Sequence, residues 1–394
     1  MLYTRRDVGR LGLAAGLASA FGSKLIAEKP NSKINGVQIG TITYSYRSMP
    51  DQSAEATLRY IVESGISAIE LMGGPVNDWA RKKGKWDSSP AAAAAADAAA
   101  GRGGRGGRGT GGRGPARAYP SAAGMKTGFG NDQPAGQWNG LACPEGRGGG
   151  PGGEGARSGA SPAGGGGGRG RGEQTAEQKA AADSERKWRL GLSMDIFKDL
   201  RKLYSDAGVT IYAVKDVRQG TDEDLDYTFT VARTLGATHV TLELPNGPNA
   251  RVTFQRMGEW ALKHKMFTAY HTHQQGSMTA LDDAFEISRG NMANVDLGHF
   301  MAANNPGGTP LDFLNQFHDR IASYHLKDRT SVAHCALNLP WGTGETPIPQ
   351  ILQTVAKNKW TMPGSIELEY EVPEGSDAVK EVAKCLEFCR RALA

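Results

Sequence analysis

Short apolar segments alternate with amphipathic helical segments along most of this chain, and this alternation constrains the fold more than any other feature. The helical faces repeatedly end at a glycine, as Leu225, Phe229 and Leu235 do before Gly236, and an apolar segment follows at once. Glycine in that position is typical of a helix C-cap. Near-continuous apolar strands that alternate with helices predict a parallel sheet covered on both faces.

Eight such strands are predicted, which favours a closed barrel over an open doubly wound sheet. They span residues 37–43, 67–72, 209–214, 238–244, 266–270, 292–295, 321–324 and 364–368. No glycine-rich dinucleotide-binding fingerprint follows any of them. The predicted fold is therefore α/β, a (β/α)8 TIM barrel, whose usual size of ~250 residues the chain approaches once its two unusual segments are set aside.

The first unusual segment is a low-complexity insertion after the second strand, at residues 84–174. It contains an alanine tract, Gly-Arg repeats and many of the 54 glycines of the chain. Such a segment cannot bury enough apolar surface to offset its ordering entropy, so we expect it to be disordered. Between residues 101 and 172, nine arginines and one lysine stand against three acidic residues, so the net charge of +5 derives from the insertion.

Gly-Arg repeats can bind single-stranded nucleic acid. Aromatic residues that would stack on bases are sparse in the insertion, where Tyr119, Phe129 and Trp138 are the main ones. The N-terminus described next also predicts export, and an exported protein would meet little RNA. We therefore expect a solvated loop and no nucleic-acid partner, with a mobile cover over the barrel mouth as the alternative.

The second unusual segment, residues 1–30, has the pattern of a signal peptide. Arg5 and Arg6 precede a weakly apolar run at residues 11–21, which is too short to span a bilayer. The paired arginines resemble a twin-arginine signal. We expect the protein to be periplasmic or otherwise exported by that route. No other apolar run approaches the ~20 residues of a membrane helix, so no integral membrane segment is predicted.

The four cysteines match neither a zinc ribbon nor a redox pair. Cys385 and Cys389 lie four residues apart in a predicted helix, where side-by-side packing is expected. Cys143 and Cys335 are likewise expected to be incidental or buried thiols.

Ionisable side chains follow the predicted strands at the end where a parallel barrel carries its active site. In chain order, these ends bring Tyr44, Glu70, Lys215, Glu243, His271 with His273, Asp296 with His299, His325 with Lys327, and Glu367 with Glu369. A single histidine is more often structural than functional. Four histidines at consecutive strand ends, beside Asp296 and Glu367, instead predict a site for a divalent metal.

Four motifs in this region resemble the sugar phosphate isomerase/epimerase family, which has a xylose-isomerase-like TIM barrel. They are Asp-Leu-Gly-His at 296–299, His-Leu-Lys-Asp at 325–328, Trp-Gly-Thr-Gly-Glu at 341–345 and Ser-Ile-Glu-Leu-Glu at 365–369. They are similar to the family's D-x-x-H, H-L-K-D, G-x-G-D/E and I-E-x-E elements. The resemblance implies that residues 31–394 form one barrel domain, interrupted by the insertion.

The resemblance also implies a metal set of Glu, Asp, His and Glu from the last four strands. By position, Asp296, His325 and Glu367 supply three of these ligands. Where many members have the fifth-strand glutamate, this chain has histidine, so we predict His271 as the fourth ligand and Glu243 as the alternative. The implied cofactor is one divalent ion: Mn²⁺, Mg²⁺, Co²⁺ or Zn²⁺.

The reaction implied for a sugar or keto-sugar substrate is isomerisation or epimerisation through an enediolate, in which the metal polarises adjacent oxygens and a base moves the proton. Without the fifth-strand glutamate, the candidate bases are Glu367, His273 and Lys215. The same chemistry would serve a lyase or dehydratase that acts on a keto-sugar or keto-glycoside by β-elimination, which ranks second.

Five residues are candidates for substrate binding: His299, Glu243, Lys327, Trp341 and Tyr44. Glu369 is an alternative ligand to Glu367. Two other functional classes are alternatives. Phosphodiester cleavage, as in endonuclease IV relatives of this barrel, needs three metals and histidines on early strands that this chain lacks. A non-catalytic sugar-binding barrel need carry no metal at all.

Overall fold

The computed structural model describes residues 29–86, 135–143, 175–304 and 306–394. The expected signal peptide, apart from its last two residues, lies outside the described residues, as do the Gly-Arg repeats of the insertion. Among the helices that are described, none combines the length and the apolar character needed to cross a membrane.

Eight parallel strands close into a barrel, with helices in the connections. The strands are β1 (Val37–Ile42), β2 (Ala68–Met72), β3 (Thr210–Lys215), β4 (His239–Glu243), β5 (Phe267–His271), β6 (Asn291–Asp296), β7 (Ile321–Leu326) and β8 (Gly364–Ile366). Each strand pairs with its neighbours in sequence, and β8 pairs with β1, so the ring has no free edge. The predicted (β/α)8 TIM barrel is confirmed.

Eleven α-helices lie within the described residues. They are α1 (Ala54–Glu63), α2 (Gly73–Lys83), α3 (Ala176–Leu190), α4 (Asp195–Asp206), α5 (Asp222–Leu235), α6 (Ala250–Lys263), α7 (Asp282–Ile287), α8 (Leu297–Met301), α9 (Pro310–Phe317), α10 (Ile348–Asn358) and α11 (Ala378–Leu393). Helix α5 shows how local sequence sets their bounds. Thr221 and Asp224 form a capping box at its start, and Gly236 ends it in the left-handed conformation at φ 93°.

The interior of the barrel is polar beneath the strand ends. Ser323 on β7 is hydrogen-bonded to His239 on β4, and it accepts a hydrogen bond from Asn294 on β6. Asn294 also donates to Glu70 on β2. Because several of these strands are not neighbours in the sheet, their hydrogen bonds span the interior. These buried polar groups therefore form a hydrogen-bond network in the barrel interior, directly beneath the side chains at the strand ends.

Residues 135–143 of the insertion form a short hairpin on the loop that follows β7. The Trp138 side chain is buried, and its ring centroid lies 5.6 Å from that of His334. Cys143 and Cys335 are joined by a disulfide, with their Cα atoms 5.1 Å apart. The insertion follows β2, but residues 135–143 are therefore attached to the β7 loop on the other side of the barrel mouth.

The expectation that all cysteines are thiols is wrong for Cys143 and Cys335 and is confirmed for Cys385 and Cys389, which are buried on α11. The two bonded cysteines are 192 residues apart in sequence. No local spacing could indicate their pairing, because it depends on the hairpin folding back onto the β7 loop.

We expect the denatured, unreduced protein to react with a thiol reagent at Cys385 and Cys389 only, and peptide mapping to recover Cys143 linked to Cys335. Reduction should expose all four cysteines. It should also lower the free energy of unfolding by about 3 kcal/mol, because the disulfide closes a long loop. Reaction at all four cysteines before reduction would show that the bond does not form.

Candidate metal centre

Four side chains from consecutive strand ends meet at the carboxyl end of the barrel. They are His271 of β5, Asp296 of β6, His325 of β7 and Glu367, which follows β8. Each offers one ligand atom, and these atoms all lie within 4.8 Å of one another. All four residues are buried. The structure therefore brings together the four residues that the sequence predicts as ligands.

The hydrogen bonds of His271 leave one of its ring nitrogens available to a metal. Its Nδ1 lies 2.7 Å from Asn294 Oδ1. Since the Asn294 amide nitrogen donates to Glu70 and Ser323, Asn294 Oδ1 is the acceptor and His271 Nδ1 carries the proton. Burial, with Lys215 nearby, holds the pKa of His271 well below its usual value. The neutral ring thus keeps its lone pair on Nε2, as a metal ligand requires.

His325 lies between two carboxylates. Its Nε2 donates to Glu70 Oε2 at 2.8 Å and its Nδ1 donates to Glu367 Oε2 at 2.7 Å. Burial alone would lower the pKa of His325, but Glu70 and Glu367 outweigh it and raise the pKa to about 10. Glu70 fixes Nε2–H on the side away from Glu367. His325 Nδ1 therefore faces the ligand atoms of the other three residues, and a metal cation bound there can take the place of the Nδ1 proton.

Asp296 presents one carboxylate oxygen to the centre. Its Oδ1 accepts a hydrogen bond from the backbone N–H of His299 at 2.7 Å and caps the start of α8. Its Oδ2 is buried and lacks a hydrogen bond with good geometry to any described residue, although Lys327 Nζ lies 3.0 Å away. A buried oxygen of this kind, beside two imidazoles and a second carboxylate, fits a divalent ion.

Glu369, the alternative ligand, stands outside this group of four. Its Oε2 accepts a hydrogen bond from Lys327 Nζ at 2.6 Å and lies 3.6 Å from His299 Nε2. Lys327 Nζ is also 3.0 Å from Glu367 Oε2. Glu369 is therefore the outer partner of a buried ammonium that also contacts the predicted metal ligands.

A second, overlapping group consists of Glu243, His271 and His273. Glu243 Oε1 lies 2.9 Å from Lys215 Nζ, and its Oε2 lies 3.2 Å from His273 Nε2. Because His271 has one available lone pair, it can serve only one of the two groups at a time. The alternative in which Glu243 replaces His271 beside Asp296 is not the geometry found.

His299 is held as a neutral donor at the edge of the centre. The Arg329 guanidinium donates to His299 Nδ1, so the His299 proton is on Nε2. Burial and the nearby cations, Lys327 first, keep the pKa of His299 well below its usual value. Its ring stacks on His273 with centroids 4.8 Å apart. Its contact to substrate stays a prediction.

The two predicted aromatic residues lie in different surroundings. Tyr44 follows β1 near the centre: burial raises the pKa of its hydroxyl, and the carboxylates of Glu369 and Glu367 add to the rise. Trp341 instead packs edge-on against Phe388 of α11, with centroids 5.9 Å apart. That contact joins Trp341 to the outer helix layer and not to the histidines.

The sequence alone assigns no role to three residues of the centre: Glu70, Asn294 and Arg329. Two of them carried a detectable signal. Glu70 is a lone carboxylate inside the apolar strand β2. Asn294 lies two residues before Asp296 and therefore on the same face of β6. Arg329 follows the seventh-strand motif, and nothing local indicates that it reaches His299.

No family model matches this chain, and no curated protein matches it. Several solved structures do resemble it. The probable 3-DHS dehydratase AsbF of Bacillus anthracis has 13% identity and a TM-score of 0.48 over 89% of this chain and 98% of that chain. A sugar phosphate isomerase/epimerase of Parabacteroides distasonis has 12% identity and a TM-score of 0.47 over 90% of this chain and 95% of that chain.

A xylose isomerase-like TIM barrel protein of Mycobacterium smegmatis, in complex with magnesium, has 18% identity and a TM-score of 0.40 over 52% of this chain and 79% of that chain. Identities this low concern the fold and not the reaction. The solved structures that resemble the chain thus include sugar phosphate isomerase/epimerase and xylose isomerase-like TIM barrel proteins, and the likeness is one of fold.

Proposed function

We propose that the protein is a divalent-metal-dependent isomerase or epimerase of a sugar or keto-sugar. The observation that carries this proposal is the convergence of His271, Asp296, His325 and Glu367, with their ligand atoms within 4.8 Å of one another. Two imidazoles and two carboxylates suit Mn²⁺, Co²⁺ or Zn²⁺, and Mg²⁺ less closely. A bound ion would polarise the adjacent carbonyl and hydroxyl oxygens of a sugar, which makes the neighbouring carbon-bound proton more acidic.

We assign His273 as the base that moves this proton. Its Nε2 faces Glu243 Oε2 at 3.2 Å, so the tautomer protonated at Nε2 leaves Nδ1 free to accept a proton. Lys215 lies 2.9 Å from the other oxygen of Glu243. The arrangement is a base oriented by a carboxylate that is in turn held by a cation.

The other two candidate bases are less well placed. Burial alone would lower the pKa of Lys215, but Glu243, together with Glu70 and Glu367, outweighs the effect of burial and raises the pKa above its usual value. Lys215 therefore remains an ammonium and positions Glu243. Glu367 Oε2 contacts both His325 and Lys327, which commits that oxygen to the centre.

A lyase or dehydratase acting on a keto-sugar or keto-glycoside is the second candidate, and one observation favours it. β-Elimination needs a base, and a hydrogen bond to the departing oxygen assists its departure. His299 carries its proton on Nε2 and stacks on His273 at 4.8 Å. A hydrogen-bond donor thus lies directly beside the proposed base, and the proton that His273 has abstracted can then be delivered to the departing oxygen.

We further propose that the protein is exported and meets free or glycosidic sugars. The Cys143–Cys335 disulfide supports this setting, since such bonds persist in oxidising compartments. The proposed twin-arginine signal lies in residues outside the described set.

Metal-loaded protein should exchange a carbon-bound proton of one sugar in a panel of aldo- and keto-sugars with deuterium from solvent. His273→Gln should slow this exchange by about 10²- to 10⁴-fold, the usual contribution of a general base, without changing metal content. Mass spectrometry distinguishes the two candidates, because isomerisation conserves the atoms of the sugar and elimination releases water or an alcohol.

His318→Gln is the matched control, because His318 stacks on Trp360 away from the centre. It should leave the exchange rate unchanged. Full exchange by the His273→Gln variant would remove His273 from the reaction, and metal-loaded protein that turns over no sugar in the panel would argue for a binding protein.

A further inference from the structure

One cation of the chain already lies within the candidate metal centre. Lys327 Nζ is 3.0 Å from Asp296 Oδ2, 3.0 Å from Glu367 Oε2 and 2.6 Å from Glu369 Oε2. The Lys327 side chain is only 3% exposed. Charges that meet in such a buried position interact strongly, because little water lies between them.

Two of the three carboxylate oxygens contacted by Lys327 are the same oxygens that face the other predicted metal ligands. Glu367 Oε2 accepts a hydrogen bond from His325 Nδ1 at 2.7 Å, and Asp296 Oδ2 lies 4.0 Å from that nitrogen. A divalent ion bound to these oxygens and an ammonium beside them would repel each other and compete for the same lone pairs.

The backbone of α8 fixes the path by which Lys327 reaches the centre. A side chain at Gly298 would collide with the Cγ atom and the carbonyl oxygen of Lys327, so the lysine stem runs directly over this glycine. The methylene chain of Lys327 has little conformational freedom there. Its ammonium, in contrast, contacts Asp296 and Glu367 of the ligand group and also Glu369. Glu369 is the partner that does not belong to the group of four ligands.

We propose that Lys327 is a built-in counter-cation that competes with the divalent metal. In the metal-free protein its ammonium neutralises Asp296 and Glu367. When a divalent ion binds, Lys327 gives up these two contacts and keeps Glu369. Its ammonium is then directed to the barrel mouth, where it can donate a hydrogen bond to an oxygen of the substrate. The inference rests on the proposed function only in that the centre binds a divalent ion.

The test is a calorimetric titration of chelator-treated, full-length protein with Mn²⁺. Lys327→Met keeps the length of the side chain and removes its charge, so we expect Mn²⁺ to bind at least about tenfold more tightly than to the wild type. The metal-free variant should also unfold at lower temperature, because its buried carboxylates have lost their partner. A lysine that merely supported the ligands would give the opposite result, a loss of metal affinity.

Glu369→Gln provides an independent variant. It removes the charged partner that would hold the displaced ammonium, so we expect weaker Mn²⁺ binding than in the wild type. In the Lys327→Met background the same change should have little effect, because no ammonium remains to be displaced. Lys215→Met removes an equal charge beside Glu243, outside the four ligands, and should change the affinity less than Lys327→Met does.

The titrations distinguish a failure of the Lys327 competition from a failure of the proposed metal-dependent function. Unchanged or weaker Mn²⁺ binding by Lys327→Met would overturn the competition while leaving the metal centre in place. If Lys327→Met does not fold, Glu369→Gln decides, and unchanged or tighter binding by that variant would overturn the competition. Wild-type protein that binds no divalent ion would overturn the proposed function, and this inference with it.

Discussion

Replacing Asp296 by asparagine should remove most of the divalent-metal affinity and leave the barrel folded. Asparagine can still accept the 2.7 Å hydrogen bond from the backbone N–H of His299, so the start of α8 keeps its cap. It cannot supply the anionic Oδ2 that faces the other donors. Because loss of a mere supporting partner can cost 10- to 100-fold in metal affinity, we expect loss of a ligand to cost at least about 100-fold.

The measurement is a Mn²⁺ titration of metal-free wild type and variant, with circular dichroism as the check on folding. Glu381→Gln is a matched control, since Glu381 is a buried carboxylate on α11 that accepts a hydrogen bond from Tyr370, apart from the centre. The control should bind Mn²⁺ as the wild type does. If Asp296→Asn bound Mn²⁺ as tightly as the wild type does, the ion would have to bind at a site that does not include Asp296.

The second large effect concerns Glu70 and the stability of the metal-free protein. Burial alone would raise the pKa of Glu70, but His325 outweighs it and lowers the pKa to about 2, whereas the pKa of His325 is raised to about 10. The buried Glu70–His325 ion pair contributes to both shifts, while Glu367 adds to the shift of His325 and Lys215 adds to that of Glu70. The folded state therefore holds the His325 proton more tightly than the unfolded chain does, and the Glu70 proton less tightly.

The pH window follows from these directions. The contribution of His325 is complete below its usual pKa of 6.5 and is lost as the pH rises towards 10. The contribution of Glu70 is complete above its usual pKa of 4.5 and is lost as the pH falls towards 2. The Glu70–His325 pair should therefore add most to the free energy of unfolding of chelator-treated wild type between pH 4.5 and pH 6.5. Its contribution should decrease at lower and at higher pH.

Glu70→Gln should lower the free energy of unfolding of the metal-free protein by about 3 kcal/mol near pH 6, since it leaves a buried imidazolium with one anionic partner fewer. Without the anion, the pKa of His325 should fall.

Denaturant unfolding of both proteins between pH 5 and about 10 measures these effects. The stability difference between wild type and Glu70→Gln should narrow as the pH rises, because the wild type alone loses the full ion pair. Glu381→Gln serves again as the buried-carboxylate control and should show no such narrowing. Parallel curves for wild type and Glu70→Gln would mean that Glu70 and His325 do not form a charged pair.

The strand ends could be predicted from sequence because local chemistry marks them. An apolar run such as the one before Asp296 stops at an ionisable group, and parallel closure brings all such ends to one rim. Two residues of the same strand face, such as Glu367 and Glu369, could not be ranked in this way. The structure separates them by their partners: Glu367 contacts His325, and Glu369 contacts Lys327 and lies outside the ligand group.

Interactions between distant parts of the chain were missed for a different reason. Glu70 supports His325 across the barrel interior, 255 residues further along the chain. The Cys143–Cys335 bond likewise depends on where the hairpin of the insertion docks. Packing between distant residues is equally invisible for Trp341, whose ring packs edge-on against Phe388 while its contact to substrate stays a prediction.

Anomalous diffraction from crystals grown with Mn²⁺ tests the central claim most directly. The predicted result is a single strong peak within ~2.3 Å of a nitrogen or oxygen of His271, Asp296, His325 and Glu367, with Lys327 Nζ still within hydrogen-bonding distance of Glu369. A peak between Glu243 and His273, or Mn²⁺-soaked crystals with no peak at the strand ends, would contradict the account.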